Sequence, residues 1–352
     1  MSARSVMDAL DKAKYEVVPM GITKQGRWLT AGDPMRALQS TLAQPGGIQP
    51  ESVEATTPSL QRVTRELVPG AGEKGIPRVD VVFPVLHGPY GEDGTVQGLF
   101  ELADIPYVGA GVLGSAVAMD KAVMKGIFRA EGLPIADYLV LMRWDWEEHP
   151  TEVMQRVEER IGFPCFVKPA NLGSSVGVTK VHVAEELSPA LNAAALYDRR
   201  LLVEEAINAR EIELSVLGND HPISSLPGEV VPRREFYDYV AKYEDDETQL
   251  IVPADLPPDK VTELQSLAIR AFVALDCAGM ARADFLLDRG NLKVYVNELN
   301  TIPGFTAMSM YPKMWAASGL SYPELLDRLI QLALDRHRDK GRMSTDYKGH
   351  EG

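Results

Sequence analysis

Cysteine is nearly missing from this chain. There are two in 352 residues, Cys165 and Cys277, far apart and each in an apolar setting. That excludes a disulfide framework and reads as a pair of reduced core thiols. No Cys/His pair has zinc spacing, and His149, His182, His221, His337 and His350 form no pattern. Long apolar runs are also missing; none approaches the ~20 residues that a membrane span needs. Met1 to Leu10 has neither a basic flank nor a long apolar stretch, so no signal peptide is expected and the cytoplasm is the expected location. Positive charge is in deficit, with 36 basic residues against 50 acidic and a net charge of −14. Such a surface repels nucleic acid, so neither a nucleic-acid nor a membrane partner is expected. It leaves room for an anionic ligand held by a few local lysines, backbone N–H groups and a metal ion.

What is present is enough chain for two or three α/β domains. Lys14 to Thr23 reads as a strand after a short helix, and residues 44–77 as irregular chain rich in Pro, Gly, Thr and Ser. Val79 to Leu86 reads as a buried parallel strand, and Ile105 to Val108 as a short one. One helix is expected over 115–131, with Lys121 and Lys125 on one face, and another over 151–161. Strands are expected at 165–168, 178–183, 201–205 and 211–217, the last with period-2 alternation. Residues 227–254 read as a long loop. A helix over 259–275 precedes two strands, 281–287 and 292–299, around an Asp288-Arg-Gly-Asn turn. A last amphipathic helix covers 322–335, and the polar tail beyond Arg336 is expected to be mobile.

Gly109-Ala-Gly-Val-Leu-Gly114 matches G-x-G-x-x-G but lies too far along the chain for a dinucleotide motif, and reads as a tight turn. The strand pair is more informative. Arg282 and Asp284 share one strand face, and Glu298 and Asn300 share a face of the next. If the faces coincide, two carboxylates and an amide oxygen converge, a hard-oxygen set suited to Mg²⁺ on a polyphosphate. The other reading is a solvated face with an ordinary ion pair. Lys168 ends a strand before a Gly/Ser loop, Pro169 to Gly177, whose N–H groups could meet phosphate oxygens; the other reading is a flexible turn. Backbone groups near Ala206 and Ile207 could read a base edge, with Glu211 on ribose hydroxyls. Lys242 and Tyr243 lie together in the long loop, as a phosphate contact and a substrate-positioning group or simply as an aromatic surface loop. His87-Gly-Pro-Tyr-Gly-Glu-Asp-Gly is a second Gly-rich loop at a strand end, where open α/β sheets bind ligands.

Taken together, the His87 to Gly98 stretch, Met119-Asp-Lys, Lys168 to Gly177, Tyr237 to Tyr243, Arg282-Ala-Asp and Asn297 to Gly304 resemble the D-alanine–D-alanine ligases of the ATP-grasp superfamily. The likeness runs from about Val79 to Pro323. It implies a three-domain α/β ligase: a doubly wound N-terminal domain over 1–112, then central (113–206) and C-terminal (207–336) α+β domains gripping ATP, and a tail over 337–352. Residue by residue, it implies that Lys121 and Lys168 contact ATP phosphates, with Ser175 in the loop over them. It puts Glu204, Ala206, Ile207 and Glu211 on adenosine, and Asp284, Glu298 and Asn300 on two Mg²⁺ ions, with Mn²⁺ a possible substitute. Lys242 would contact the transferred phosphate and Ser174 would pair with Tyr243. Arg282 and the Gly304 N–H would stabilise the oxyanion, and His87, Ser309 and Met310 would contact substrate, the last two at the carboxylate of the second D-alanine. The implied reaction joins two D-alanines through an acyl phosphate, for peptidoglycan precursor synthesis, in a homodimer. A Tyr at position 243 implies the dipeptide rather than a D-lactate ester. The family's opening strand and its Glu-bearing segment are expected to be missing, because Met1 to Leu10 resembles the family's next stretch of chain; a misassigned start is the favoured explanation. Two alternatives stay open: an ATP-grasp ligase with another amino acid or D-lactate as substrate, and an impaired nucleotide-binding protein.

Overall fold

A computed structural model describes residues 2–22, 28–29, 79–173, 176–231 and 248–344. The segment 44–77 lies outside them, as do Ser174, Ser175, Lys242 and Tyr243.

The chain opens on helix α1 (Ser2–Ala9), then β1 (Gly21–Ile22) pairs antiparallel with β2 (Trp28–Leu29). The strand expected from Lys14 shrinks to its last two described residues. Residues 15–20 make no ladder; Tyr15 packs toward the C-terminal helix, and Pro19 has no N–H to give one. Val79–Leu86 likewise makes no ladder; among the described residues it forms one parallel bridge, Val82 to Tyr107, with Val82 N–H on Pro106 O (2.8 Å) and Val108 N–H on Val82 O (2.9 Å). The stretch is also half-buried rather than buried, with only Pro84 fully covered and Asp80 exposed; apolar patterning gives neither the cover on both faces nor the partner along the hydrogen-bonding edge that a ladder needs.

Helices α2 (Thr95–Leu102), α3 (Val112–Met119) and α4 (Lys121–Ala130) come next. The single helix expected over 115–131 is therefore two. Asp120 sits between them in an extended conformation, and its carboxylate accepts the N–H groups of Ala122 (3.1 Å) and Val123 (3.0 Å). That N-cap starts a new helix whose first residue is Lys121. The Gly-rich turn before them is structural, as the spacing suggests. Gly109 has φ +101°, Gly279 approaches its backbone so closely that a Cβ there would lie 3.0 Å from Gly109 N, and a Cβ on Gly114 would lie 2.7 Å from Asp276 O.

Beyond α4 lies a four-stranded antiparallel sheet, built from β3 (Tyr138–Met142), β4 (Cys165–Pro169), β5 (Thr179–Val181) and β6 (Arg200–Glu205) in the order β3-β6-β4-β5. Helices α5 (Arg143–Glu148), α6 (Pro150–Arg160) and α7 (Leu187–Ala195) interleave with these strands. Cys165, Val167, Leu201 and Val203 point into a core with Val153, Val157 and Leu191. By strand alternation the opposite face carries Phe166, Lys168, Leu202 and Glu204.

The larger sheet has six strands. In the order β10-β9-β7-β11-β12 run β10 (Gln249–Ile251), β9 (Gly228–Val231), β7 (Ala209–Gly218), β11 (Gly279–Asp288) and β12 (Val294–Asn300), with β8 (Ile223–Ser224) beside β7. The loop expected over 227–254 is thus replaced at both ends by a strand pair. The prolines at 227, 232 and 253 bound these short strands and hide them in the sequence. Helix α8 (Pro258–Ala274) lays Leu264, Ala268, Ala271 and Phe272 on this sheet against Ile212, Leu214, Phe285 and Val296. Helices α9 (Met310–Ala317) and α10 (Tyr322–Lys340) close the structure. Helix α10 continues past residue 336, where the tail was expected to begin.

Candidate active site

The β11–β12 hairpin brings its four polar residues to one place. Asp284 lies directly opposite Glu298, and Arg282 opposite Asn300. Arg282 grips Asp284 with two parallel bonds, Nε to Oδ1 (2.7 Å) and a terminal nitrogen to Oδ2 (2.8 Å), and its Nε also lies 3.2 Å from Glu213 on β7. Asn300 donates to Asp284 Oδ2 at 2.9 Å. Burial alone would lower the guanidinium pKa, but Asp284 and Glu213 outweigh it and hold Arg282 cationic. The ladder slips by one residue between Asp284 and Phe285, so Phe285 faces Val296 and Asn297 is the extra residue on β12. Asn297 and Glu298, consecutive in sequence, therefore both line the same cleft.

That cleft, about 450 Å³, lies between the two sheets. The smaller sheet contributes Phe166, Lys168, Lys180 and Glu204, the larger Glu211, Glu213, Arg282, Asp284 and Glu298, and α4 adds Lys121. Lys121 sits 3.3 Å from Glu298 Oε2 and donates to Leu172 O at 2.9 Å. Lys168 bonds Glu204 Oε2, and Lys125 lies 2.5 Å from Glu204 Oε1. Burial pushes the Glu204 carboxyl up, but the two lysines overcome it and hold the group at about 2. Burial pulls Lys125 down; for Lys168 the pull of Glu204 exceeds it and raises the group.

Two residues expected at an adenine edge, Ala206 and Ile207, line the cleft between β6 and β7. The Ala206 N–H is already given to Pro164 O at 3.1 Å, which leaves its carbonyl and the Ile207 N–H for a base. His87, Gly304, Ser309 and Met310 do not line the cleft. They form a neighbouring cluster instead. His87 Nδ1 is 3.0 Å from Ile302 O, and Ser309 Oγ takes the Thr306 N–H at 3.1 Å in the loop that holds Gly304. Burial holds His87 below its ordinary value, against the Ile302 contact, and Arg282 pushes the same way, which ties this cluster electrostatically to the hairpin. The Met310 side chain is buried with Val230 and Met314, so only its backbone, at the start of α9, can meet a ligand.

Three residues in or behind the site carry no role in the reading of the sequence. Glu213 is buried next to Arg282; its signal is a second acid two residues after Glu211 in an apolar strand. Lys125 lies four residues after Lys121 on a helix whose neighbours Met124 and Phe128 are core. Glu92 accepts the Gly88 N–H at 2.5 Å within the His87 loop, and feels Arg282, Lys121 and Glu298.

The donor chemistry suits a divalent metal. Asp284 and Glu298 are like charges directly across a ladder, an arrangement that repels unless cations intervene, and hard oxygens of this kind take Mg²⁺, Mn²⁺ or Ca²⁺. Among the described residues no three His, Cys, Asp or Glu side chains form a ready cage, so Asn300 would complete the set.

Two family models cover the chain: the D-ala D-ala ligase N-terminus over residues 1–110 and the D-ala D-ala ligase C-terminus over 127–331. The chain belongs to the D-alanine–D-alanine ligase family. A D-alanine–D-alanine ligase of Thermoanaerobacter sp. (strain X514) is 53% identical over 343 residues, 97% of this chain and 94% of the relative. One of Heliobacterium modesticaldum is 50% identical over 349 residues, 98% and 93% of the two chains. Among solved structures, the D-alanine–D-alanine ligase of Coxiella burnetii matches with TM-score 0.77 and 40% identity, over 97% of this chain and 90% of that one. The VanG D-Ala:D-Ser ligase of Enterococcus faecalis matches with TM-score 0.78 and 35% identity, over 94% of each. The fold is that of an ATP-grasp ligase, and the family uses ATP with a divalent metal. Among the described residues no helix is long and apolar enough to cross a membrane.

Proposed function

We propose that this ligase joins two D-alanines to D-alanyl-D-alanine, with ATP activating the first carboxylate as an acyl phosphate. The observation that carries the reading is one cleft in which Lys121 and Lys168 confront the Asp284–Glu298 pair, in a chain of this family. A carboxylate is a poor electrophile, and phosphorylation supplies the leaving group. Lys121 and Lys168 would bind the ATP phosphates, with Glu204, Glu211 and the 206–207 backbone on adenosine. Asp284, Glu298 and Asn300 would hold Mg²⁺, two ions or Mn²⁺ in their place, which neutralise charge during phosphoryl transfer. The amine of the second D-alanine then attacks the acyl carbon. The developing oxyanion would be met by Arg282, whose remaining donors are not spent on Asp284, and by the Gly304 N–H. Ser309 and the Met310 backbone would take the second carboxylate, and His87 would line that substrate's end of the site. Ser174, Ser175, Lys242 and Tyr243, outside the described residues, would complete a loop that excludes water. The division at 112 and 206, a cytoplasmic location and a homodimer belong to the same proposal.

Phosphate release by the full chain with Mg-ATP and D-alanine, D-serine or D-lactate tests it. D-Alanine is expected to drive release with formation of the dipeptide. A chain that turns over only with D-serine or D-lactate, or with none of them, would sink the assignment.

A further inference from the structure

Glu204 is held by two lysines, and they differ in where they stand. Lys168 and Glu204 are diagonal neighbours on one face of the β4–β6 ladder, where Phe166 faces Glu204 and Lys168 faces Leu202, and both line the cleft. Lys125 does not line it. It comes from α4, is 1% exposed, and reaches the other oxygen, Oε1, at 2.5 Å. A carboxylate this buried is costly without a cation. With Lys168 alone, drawing that lysine toward a ligand would strand Glu204; with Lys125 behind it, Lys168 can leave.

We propose that Lys125 is a positioning residue that releases Lys168 to the nucleotide: it keeps Glu204 ionised and fixed from behind while Lys168 exchanges a carboxylate oxygen for a phosphate oxygen. Glu204 then stays an acceptor for a base amino group while the lysine serves the phosphates. This rests on the reading of Lys168 and Glu204 as nucleotide contacts.

The test is Mg-ATP binding by titration calorimetry, with folding checked by thermal melting, for the parent chain, Lys125→Met, Glu204→Gln and the double variant. In the parent background Lys125→Met is expected to weaken binding at least tenfold, with kcat at saturating ATP within about threefold. In the Glu204→Gln background the same change is expected to cost less than twofold, because no carboxylate is left to compensate. An equal loss in both backgrounds is what a merely structural lysine would give, and it overturns the proposal, as does unchanged binding by Lys125→Met. If Lys125→Met fails to fold, the double variant decides: folding and binding like Glu204→Gln supports the exchange, and failure to fold rejects it. A parent chain that binds no Mg-ATP refutes the nucleotide reading itself rather than the role of Lys125.

Discussion

At the scale of single residues the site is a set of charges whose states are set by neighbours. Burial pushes Glu92 up to about 7 against the Gly88 N–H, Arg282 and Lys121, while Glu298 adds to the rise. An acid raised in the folded state favours folding while protonated. Its contribution is whole below the ordinary value of 4.5 and is lost as pH climbs through about 7. Glu92→Gln, which keeps an acceptor for Gly88, is therefore expected to be more stable than the parent at pH 8, by about 1–2 kcal/mol, and to lose that advantage at pH 4. Denaturant melts across that range would show it; a constant difference would not fit. Arg282 makes the second prediction. Lysine keeps a charge there but not the two-pronged grip on Asp284, so Arg282→Lys is expected to fold and to lower kcat by about 10²-fold or more. A loss confined to KM would contradict an oxyanion role.

Elements explain why these residues meet. Asp120 caps α4, receives Asn171 Nδ2 on its second oxygen at 2.9 Å, and pairs with Arg200 at the start of β6. One carboxylate thus ties the helix of Lys121 and Lys125 to the loop after Lys168. Asp120→Ala is expected to cost about 1–2 kcal/mol as a lost cap, and more if Arg200 is left uncompensated. It should also raise the KM for ATP several-fold, measurable in the same phosphate-release assay; a stability loss with KM unchanged would confine Asp120 to capping. Much at this scale was legible in the sequence. Alternation put Arg282 with Asp284 and Glu298 with Asn300, because a strand's period is local. The break at Asp120 does not show in the sequence, because apolar periodicity runs through it and outweighs one capping residue. The edge that Val79–Leu86 pairs on, the β9–β10 pair and the second lysine on Glu204 depend on partners far along the chain, which no local pattern encodes.

In the molecule as a whole the cleft has walls from both sheets, so a ligand that fills it joins them. Mg-ATP at a hundred times its Kd is expected to add about 2.7 kcal/mol to the unfolding free energy, and a thermal shift that saturates with ATP would measure it. No shift at any concentration would mean that the two walls do not act on one ligand. The slipped ladder at Asp284 and Phe285 carries a different consequence. A strand keeps time by twos, and the extra residue, Asn297, puts the beat of β12 after it out of step with the beat before it. Val294 and Val296 keep one rhythm in the core, Leu299 keeps the other, and both are satisfied only because one residue is uncounted. Deleting Asn297 would even the count and leave every other residue on its present face. Val294, Val296 and Leu299 would stay in the core and Glu298 and Asn300 opposite Asp284 and Arg282, so that variant is expected to melt close to the parent, whereas deleting Val296 would turn Asn297 into the core in its place and is expected to lower the melting temperature sharply.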